Sequence, residues 1–189
     1  MSDLEGRLEA ILRRCGGLMR VLETARRLDL PDALVFSGAV YQPVWNHLTG
    51  RPLEHGLSDY DLAYFDASDT SYEAEDAVIR RVAAALPHEL APLVEVRNQA
   101  RVHIWFEGKF GEPYTPLQNA PQALERFVAP AFAVGVRLEA DDRLSLFAPF
   151  GLEDIFALRL RPNPSRQGRS FAKVAARCQT RWPELKIEP

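Results

Sequence analysis

Two short apolar runs, separated by a turn and a helix, constrain this chain more than any other stretch. Leu34-Val35-Phe36 leads into Ser37-Gly38-Ala39-Val40, and Ser58-Asp59-Tyr60-Asp61-Leu62-Ala63-Tyr64-Phe65-Asp66 follows downstream. The first run reads as a strand ending in a small-residue turn. Val40 to Leu48 then reads as a helix with Val40, Tyr41, Val44, Trp45 and Leu48 on one stripe. Pro43 is tolerated there because it falls near the first turn, and Gly50 is placed to close the helix. In the second run Asp59 and Asp61 stand at i and i+2 of a strand, so they point to one face. Two like charges so close raise each other's pKa and destabilise the fold unless a cation lies between them. Hard divalent ions such as magnesium take such oxygen ligands and keep positions open for phosphate oxygens. An isolated Asp-x-Asp is also what a solvated edge strand looks like, and the surrounding chain has to separate the two readings.

With 189 residues, 47% of them hydrophobic, the chain can bury a core as one domain. We expect a single unit over 1–189, with an N-terminal helical pair (about 1–30) and a C-terminal helix (about 166–182) packed on it. A formal net charge of -3 argues against a molecule that binds nucleic acid through its overall field, so any basic surface is local. Cys15 and Cys178 show neither CxxC nor Cys/His spacing, and two isolated thiols fit a reducing compartment. The N-terminus has early acids and no signal-like apolar segment, and no run approaches the roughly 20 apolar residues that cross a bilayer. The expectation is a cytoplasmic protein without a membrane partner; the sequence carries no signal for oligomeric state.

Elsewhere, Ser2-Asp3-Leu4-Glu5 reads as a capping box before a helix with Leu4, Leu8, Ile11, Leu12 and Cys15 on one face. Gly16-Gly17 breaks it, and a second helix carries Leu18, Val21, Leu22, Ala25 and Leu28 as far as Pro31. Thr70-Ser71-Tyr72-Glu73 reads as a further capping box, before a helix with Val78, Ile79, Val82, Ala83 and Leu86 on its apolar face that Pro87 stops. Leu93 to Phe106 alternates, Val94, Val96, Ala100, Val102 and Ile104 against Glu95, Arg97, Gln99, Arg101 and His103, which predicts one long strand with a polar wall. Gly111 to Pro121 reads as a loop able to act as a lid, followed by a short helix near Ala123 to Val128. Strands are expected at Phe132 to Leu138 and Leu144 to Phe147, a short helix at Leu152 to Leu158, and a last helix capped by Ser165 and ending near Trp182. On that helix Arg169, Lys173, Arg177 and Arg181 recur at i, i+4. Such a stripe is ordinarily a solvated face, with phosphate or RNA contact as the alternative.

Taken together, strand, glycine turn, helix, Asp-x-Asp strand, helix and a strand bearing Glu95 suit metal-assisted phosphoryl or nucleotidyl transfer. Asp59, Asp61 and Glu95 are the candidate metal ligands and catalytic groups, with Glu95 also able to accept the proton of an attacking hydroxyl. Ser37, Gly38 and the N-terminus of the following helix offer backbone N–H groups and a positive dipole end to phosphate. Arg97 and Arg101 are candidates to offset phosphate charge, and Asn98, Gln99 and His103 are candidate substrate contacts.

The order Ser37-Gly38-Ala39-Val40 with Val44-Trp45, then Asp59-Tyr60-Asp61-Leu62-Ala63-Tyr64-Phe65-Asp66, then Glu95-Val96-Arg97-Asn98-Gln99-Ala100-Arg101-Val102-His103 resembles a bacterial nucleotidyltransferase-like family. That family was formerly grouped as a domain of unknown function (DUF925) and belongs to the polymerase-β-type nucleotidyltransferase superfamily. Ala133-Val134-Gly135-Val136-Arg137, Ala148-Pro149-Phe150-Gly151-Leu152, Pro162-Asn163-Pro164 and Arg181-Trp182-Pro183 extend the resemblance from about Leu34 to the C-terminus. It implies an α+β fold, a mixed β-sheet flanked by helices of the polymerase-β palm type. It also implies a metal triad of Asp59, Asp61 and Glu95 holding Mg2+ or Mn2+, with Ser37 and Gly38 at the phosphate turn. The implied reaction moves a nucleoside monophosphate from an NTP donor to an acceptor (small molecule, protein or RNA) that the resemblance leaves open. Ala39 departs from the usual Gly-Gly or Gly-Ser turn, Tyr41-Gln42-Pro43 stands where Arg-Asn and a small residue are expected, and the spacing from Gly38 to Asp59 is long. These departures motivate an alternative, a catalytically silent relative that binds nucleotide, RNA or a protein partner. Nucleotide-sugar transfer through Asp59-x-Asp61 ranks below both, because no doubly wound pattern is visible. Ser/His/Asp hydrolysis also ranks low: no serine in a strand-turn-helix elbow is evident near His47, His55, His88 or His103.

Overall fold

A computed structural model describes residues 3–166 and 170–188. A mixed five-stranded sheet is assembled from β1 (Leu34–Phe36), β2 (Tyr60–Tyr64), β3 (Val94–Asn98), β4 (Gly135–Leu138) and β5 (Leu144–Phe147), in the order β3-β2-β1-β4-β5. Only β2 and β3 run parallel; β1 is antiparallel to both β2 and β4, and β4 to β5. Seven α-helices lie among the described residues: α1 (Asp3–Leu12), α2 (Gly16–Arg27), α3 (Gly38–Leu48), α4 (Tyr72–Ala85), α5 (Val102–Phe110), α6 (Glu153–Phe156) and α7 (Phe171–Arg181). A second, two-stranded parallel sheet pairs β6 (Arg159–Leu160) with β7 (Lys186–Ile187). Ser2 of the expected first capping box and Arg169 of the basic stripe lie outside the described residues.

The two faces of the sheet divide the molecule. Val35, Tyr60, Leu62, Tyr64, Val96, Val136 and Leu138 pack with the apolar sides of α1 to α4 into the main core, where Leu8, Leu12, Leu18, Val44, Trp45 and Trp182 are also buried. Burial of this kind, at roughly 25 cal/mol per Å² of apolar surface, is the main favourable term in folding. The opposite parity, Leu34, Phe36 and Ala63, packs under Leu117, Ala120, Ala123 and Leu124 in a smaller cluster. Gly135 makes that face possible: a Cβ there would come within 2.5 Å of Leu34 Cδ1. Past the margin of this cluster, the same face ends in Asp61, the register partner of Phe36.

Several local readings change. The alternation after Leu93 describes β3 only as far as Asn98, and Val102 onward is helix. Asn98 causes the break: its Oδ1 accepts from the Ala100 and Asp66 N–H groups at 3.0 Å each, and its Nδ2 donates to the Asp66 carbonyl at 2.8 Å. An Asn that bonds backbone two residues on turns the chain out of the sheet. Ser71 is the cap of α4, accepting from Ala74 N. The loop from 111 to 121 is no lid over the aspartates, because Leu117 and Ala120 are buried in the smaller cluster and Ala120 N donates to Asp32 at 2.7 Å. Phe132 lies in a 3-10 turn before β4, a 3-10 turn also replaces the helix near Ala123, and Ser170 precedes α7.

Candidate functional site

Strand β1 ends at Phe36, and one residue reverses the chain into α3. That residue, Ser37, sits at φ 57°, ψ -119°, a region L-residues rarely occupy and one that costs on the order of 1–3 kcal/mol. It is held there by its own N–H, which donates to the Val134 carbonyl at 2.8 Å, and by its carbonyl, which accepts from Val40 and Tyr41 N–H groups. The expectation that Ser37 N–H faces phosphate is therefore corrected: the Val134 carbonyl, just before β4, takes that donor. The N–H groups of Gly38 and Ala39, in the first turn of α3, have no acceptor inside the helix. Ser37 stands at a strand-turn-helix elbow, but no histidine lines the cleft beside it.

That cleft, about 320 Å³, has three sides. Ser37, Gly38, Tyr41 and Gln42 come from the turn and α3, Ser58, Asp59 and Asp61 from the entry to β2, and Arg177, Cys178, Arg181 and Trp182 from α7 and the residue after it. Asp59 accepts from the Ser58 hydroxyl at 3.1 Å. Asp61 lies deeper, and its carboxyl pKa is pushed up to about 7 from 3.8, first by burial, then by the charges of Asp59 and Glu95, against a lowering by Arg97. The entry to β2 is tied down from behind. Glu54 accepts from the Tyr60 hydroxyl at 2.7 Å and from Gly17 N at 3.1 Å, and a Cβ on Gly17 would meet that hydroxyl at 2.0 Å.

Glu95 is the register partner of Asp61 across the parallel β2–β3 pair, so the two side chains leave the sheet on one face. Its carboxylate is half-exposed, 3.8 Å from Arg97, and it does not line the cleft. Among the described residues no group of three or more His, Cys, Asp or Glu side chains is gathered to hold a metal ion. Asp59 and Asp61 together do fit a hard divalent cation, since both offer carboxylate oxygen donors to one cavity.

The remaining candidates sit elsewhere. Arg101 does not reach the cleft; its guanidinium donates to Glu75 at 2.5 Å and to the Thr70 carbonyl at 3.1 Å, and Glu75 is almost fully buried. Asn98 is consumed by the turn it makes, and Gln99 is buried just after it. His103 follows on α5, with Nδ1 buried and unbonded. Arg97 stays beside Asp61 on the sheet face without lining the cavity. Conversely, Arg177 and Arg181, expected on a solvated face, form one wall of the cleft. Their only sequence signal was the i, i+4 stripe.

A strained turn into a helix, one aspartate just before the next strand and one on it, and a mixed sheet flanked by helices accord with the polymerase-β-type nucleotidyltransferase fold. The chain belongs to the nucleotidyltransferase family whose model matches residues 23–187. A solved NMR structure described as revealing a CCA-adding enzyme head domain is similar, with a TM-score of 0.73 and 26% identity over 96% of this chain and 93% of that one. No curated protein matches the chain. No helix among the described residues is long and apolar enough to cross a membrane.

Proposed function

We propose that this protein transfers a nucleoside monophosphate from a nucleoside triphosphate to an acceptor hydroxyl, with Asp59 and Asp61 holding a magnesium or manganese ion. The supporting observation is the meeting of the Ser37–Gly38 turn with both aspartates in one cleft. Family membership and the head-domain likeness support nucleotidyl transfer as the reaction class. A bound divalent ion supplies charge neutralisation to the phosphate oxygens. The N–H groups of Gly38 and Ala39 and the helix dipole of α3 orient the phosphates. The acceptor oxygen forms its bond to the α-phosphorus while the bond from that phosphorus to the bridging oxygen of the β-phosphate breaks, and pyrophosphate leaves. The hydroxyl proton passes to solvent, because Glu95, though on the same sheet face as Asp61, does not line the cleft.

Thermal unfolding tests this. An NTP with magnesium, at about a hundred times its Kd, raises the melting temperature by roughly 5–10 °C. Asp61→Asn loses that ligand-dependent rise whatever its own baseline; an equal rise in both proteins overturns the proposal. The pairing of Glu95 with Arg97 favours a second reading, a nucleotide-binding protein that does not turn over. Pyrophosphate release from NTP and manganese separates the two.

A further inference from the structure

We infer that Arg177 and Arg181 of α7 form the polyphosphate clamp of the cleft, whose α3 wall carries no arginine or lysine. The inference rests on the nucleotidyl-transfer reading and names the group that this wall binds. Across a space of about 320 Å³, two arginines face two aspartates. Neither arginine makes a salt bridge among the described residues, whereas Arg101, Arg137, Arg159 and Arg166 each have an acidic partner. An acidic pair and a basic pair that stand apart across one cavity match a ligand that is anionic yet carries a divalent cation. A metal-bound polyphosphate has that chemistry.

Arg181 is also held ready. Its Nη1 donates to Gln42 Oε1 at 3.0 Å, and its guanidinium carbon lies 5.1 Å from the centre of the Trp182 ring. Gly56, at φ +69°, leaves open the space where a Cβ would stand 3.4 Å from that guanidinium. Trp182 is in turn fixed, its indole N–H donating to Asn46 Oδ1 at 2.9 Å and its ring packed edge-on against Trp45 at 5.1 Å. A cation set in place beforehand loses less side-chain entropy on binding, and guanidinium geometry suits phosphate. Gln42 links this wall to the turn: a Cβ on Gly38 would stand 2.8 Å from its Nε2, so the glycine makes room for the amide whose oxygen holds Arg181. Gln42 is accordingly a positioning residue.

The test uses the full chain with magnesium and three probes, inorganic tripolyphosphate, an NTP and the matching NMP, titrated calorimetrically. Arg177→Gln and Arg181→Gln each weaken tripolyphosphate and NTP about tenfold, as loss of one charge-assisted hydrogen bond does, and the double variant weakens them more. NMP affinity changes less than about threefold, because one phosphate does not span the cleft to both arginines. Arg181→Lys recovers part of the loss, and Gln42→Ala weakens tripolyphosphate without touching NMP. Because the arginine side chains are exposed, the variants fold, which circular dichroism checks. Unchanged tripolyphosphate affinity in the double variant, an equal loss for NMP, or a wild type that does not bind tripolyphosphate overturns the inference. So does RNA binding with a steep salt dependence that vanishes in the double variant while tripolyphosphate still binds. If tripolyphosphate binds through the arginines but no NTP binds or turns over, the nucleotidyl-transfer reading fails and the clamp stands.

Discussion

With its pKa near 7, Asp61 shares its proton about equally with solvent at neutral pH when no cation is bound. Folding raises this pKa from the ordinary 3.8, so the native state holds a proton that the unfolded chain releases. The group's favourable contribution is fully present below 3.8 and is lost as pH rises through about 7. Metal-free protein is therefore less stable at pH 8 than at pH 5 through this residue. Asp61→Asn stabilises the metal-free form at pH 8 by about 2 kcal/mol, roughly half of what the displaced pKa converts to, because the carboxyl is partly open to water. Melting curves from pH 5 to 8 show the gap narrowing toward acid, and added magnesium raises the melting temperature of the wild type alone. A variant that melts below wild type at pH 8 would contradict the assigned charge strain. Functional residues commonly cost stability in this way.

At the scale of elements, the junction of α4, β3 and α5 is held by one buried carboxylate. Glu75 accepts from Asn98 N at 2.8 Å through one oxygen and from Arg101 through the other. Arg101→Ala leaves Glu75 buried and unpaired, at a cost of about 3–5 kcal/mol. Denaturant titration of that variant shows the loss, and the milder pair Arg101→Gln with Glu75→Gln keeps wild-type tripolyphosphate affinity, as it must if Arg101 is structural. The same junction shows what could be read in advance. Val94 to Asn98 alternates, and that pattern became β3; Val102 to Phe106, apolar at every position but His103, serves strand and helix equally, and only the Asp66 backbone, reached through the fold, decides for helix. The strand, turn, helix and Asp-x-Asp strand were legible because they are contiguous and each carries its own period. Arg177 and Arg181 were not, because a basic i, i+4 stripe has one appearance whether it faces water or a cleft. Its direction is set by Trp182 meeting Asn46, 136 residues away in the chain.

Across the whole molecule, the site is shared between parts of the chain that meet only on folding. The aspartates and the strained turn come from the centre of the sheet, and the opposite wall comes from α7, anchored by buried Ala175, Cys178 and Trp182. Cys178 lies in that wall and packs into the main core, its thiol pKa raised mainly by burial. Residues before the family match belong to the same body, since Leu8, Leu12 and Leu18 are fully buried in the main core. The indole of Trp182, seated against the guanidinium of Arg181, gives the protein a built-in optical reporter. A phosphate that pairs with the cation beside the ring alters the electric field at the fluorophore, so emission should shift saturably with added magnesium tripolyphosphate. In Arg181→Gln the spectrum should stay flat over the same titration, and a residual shift there would mean the light is reporting on something else.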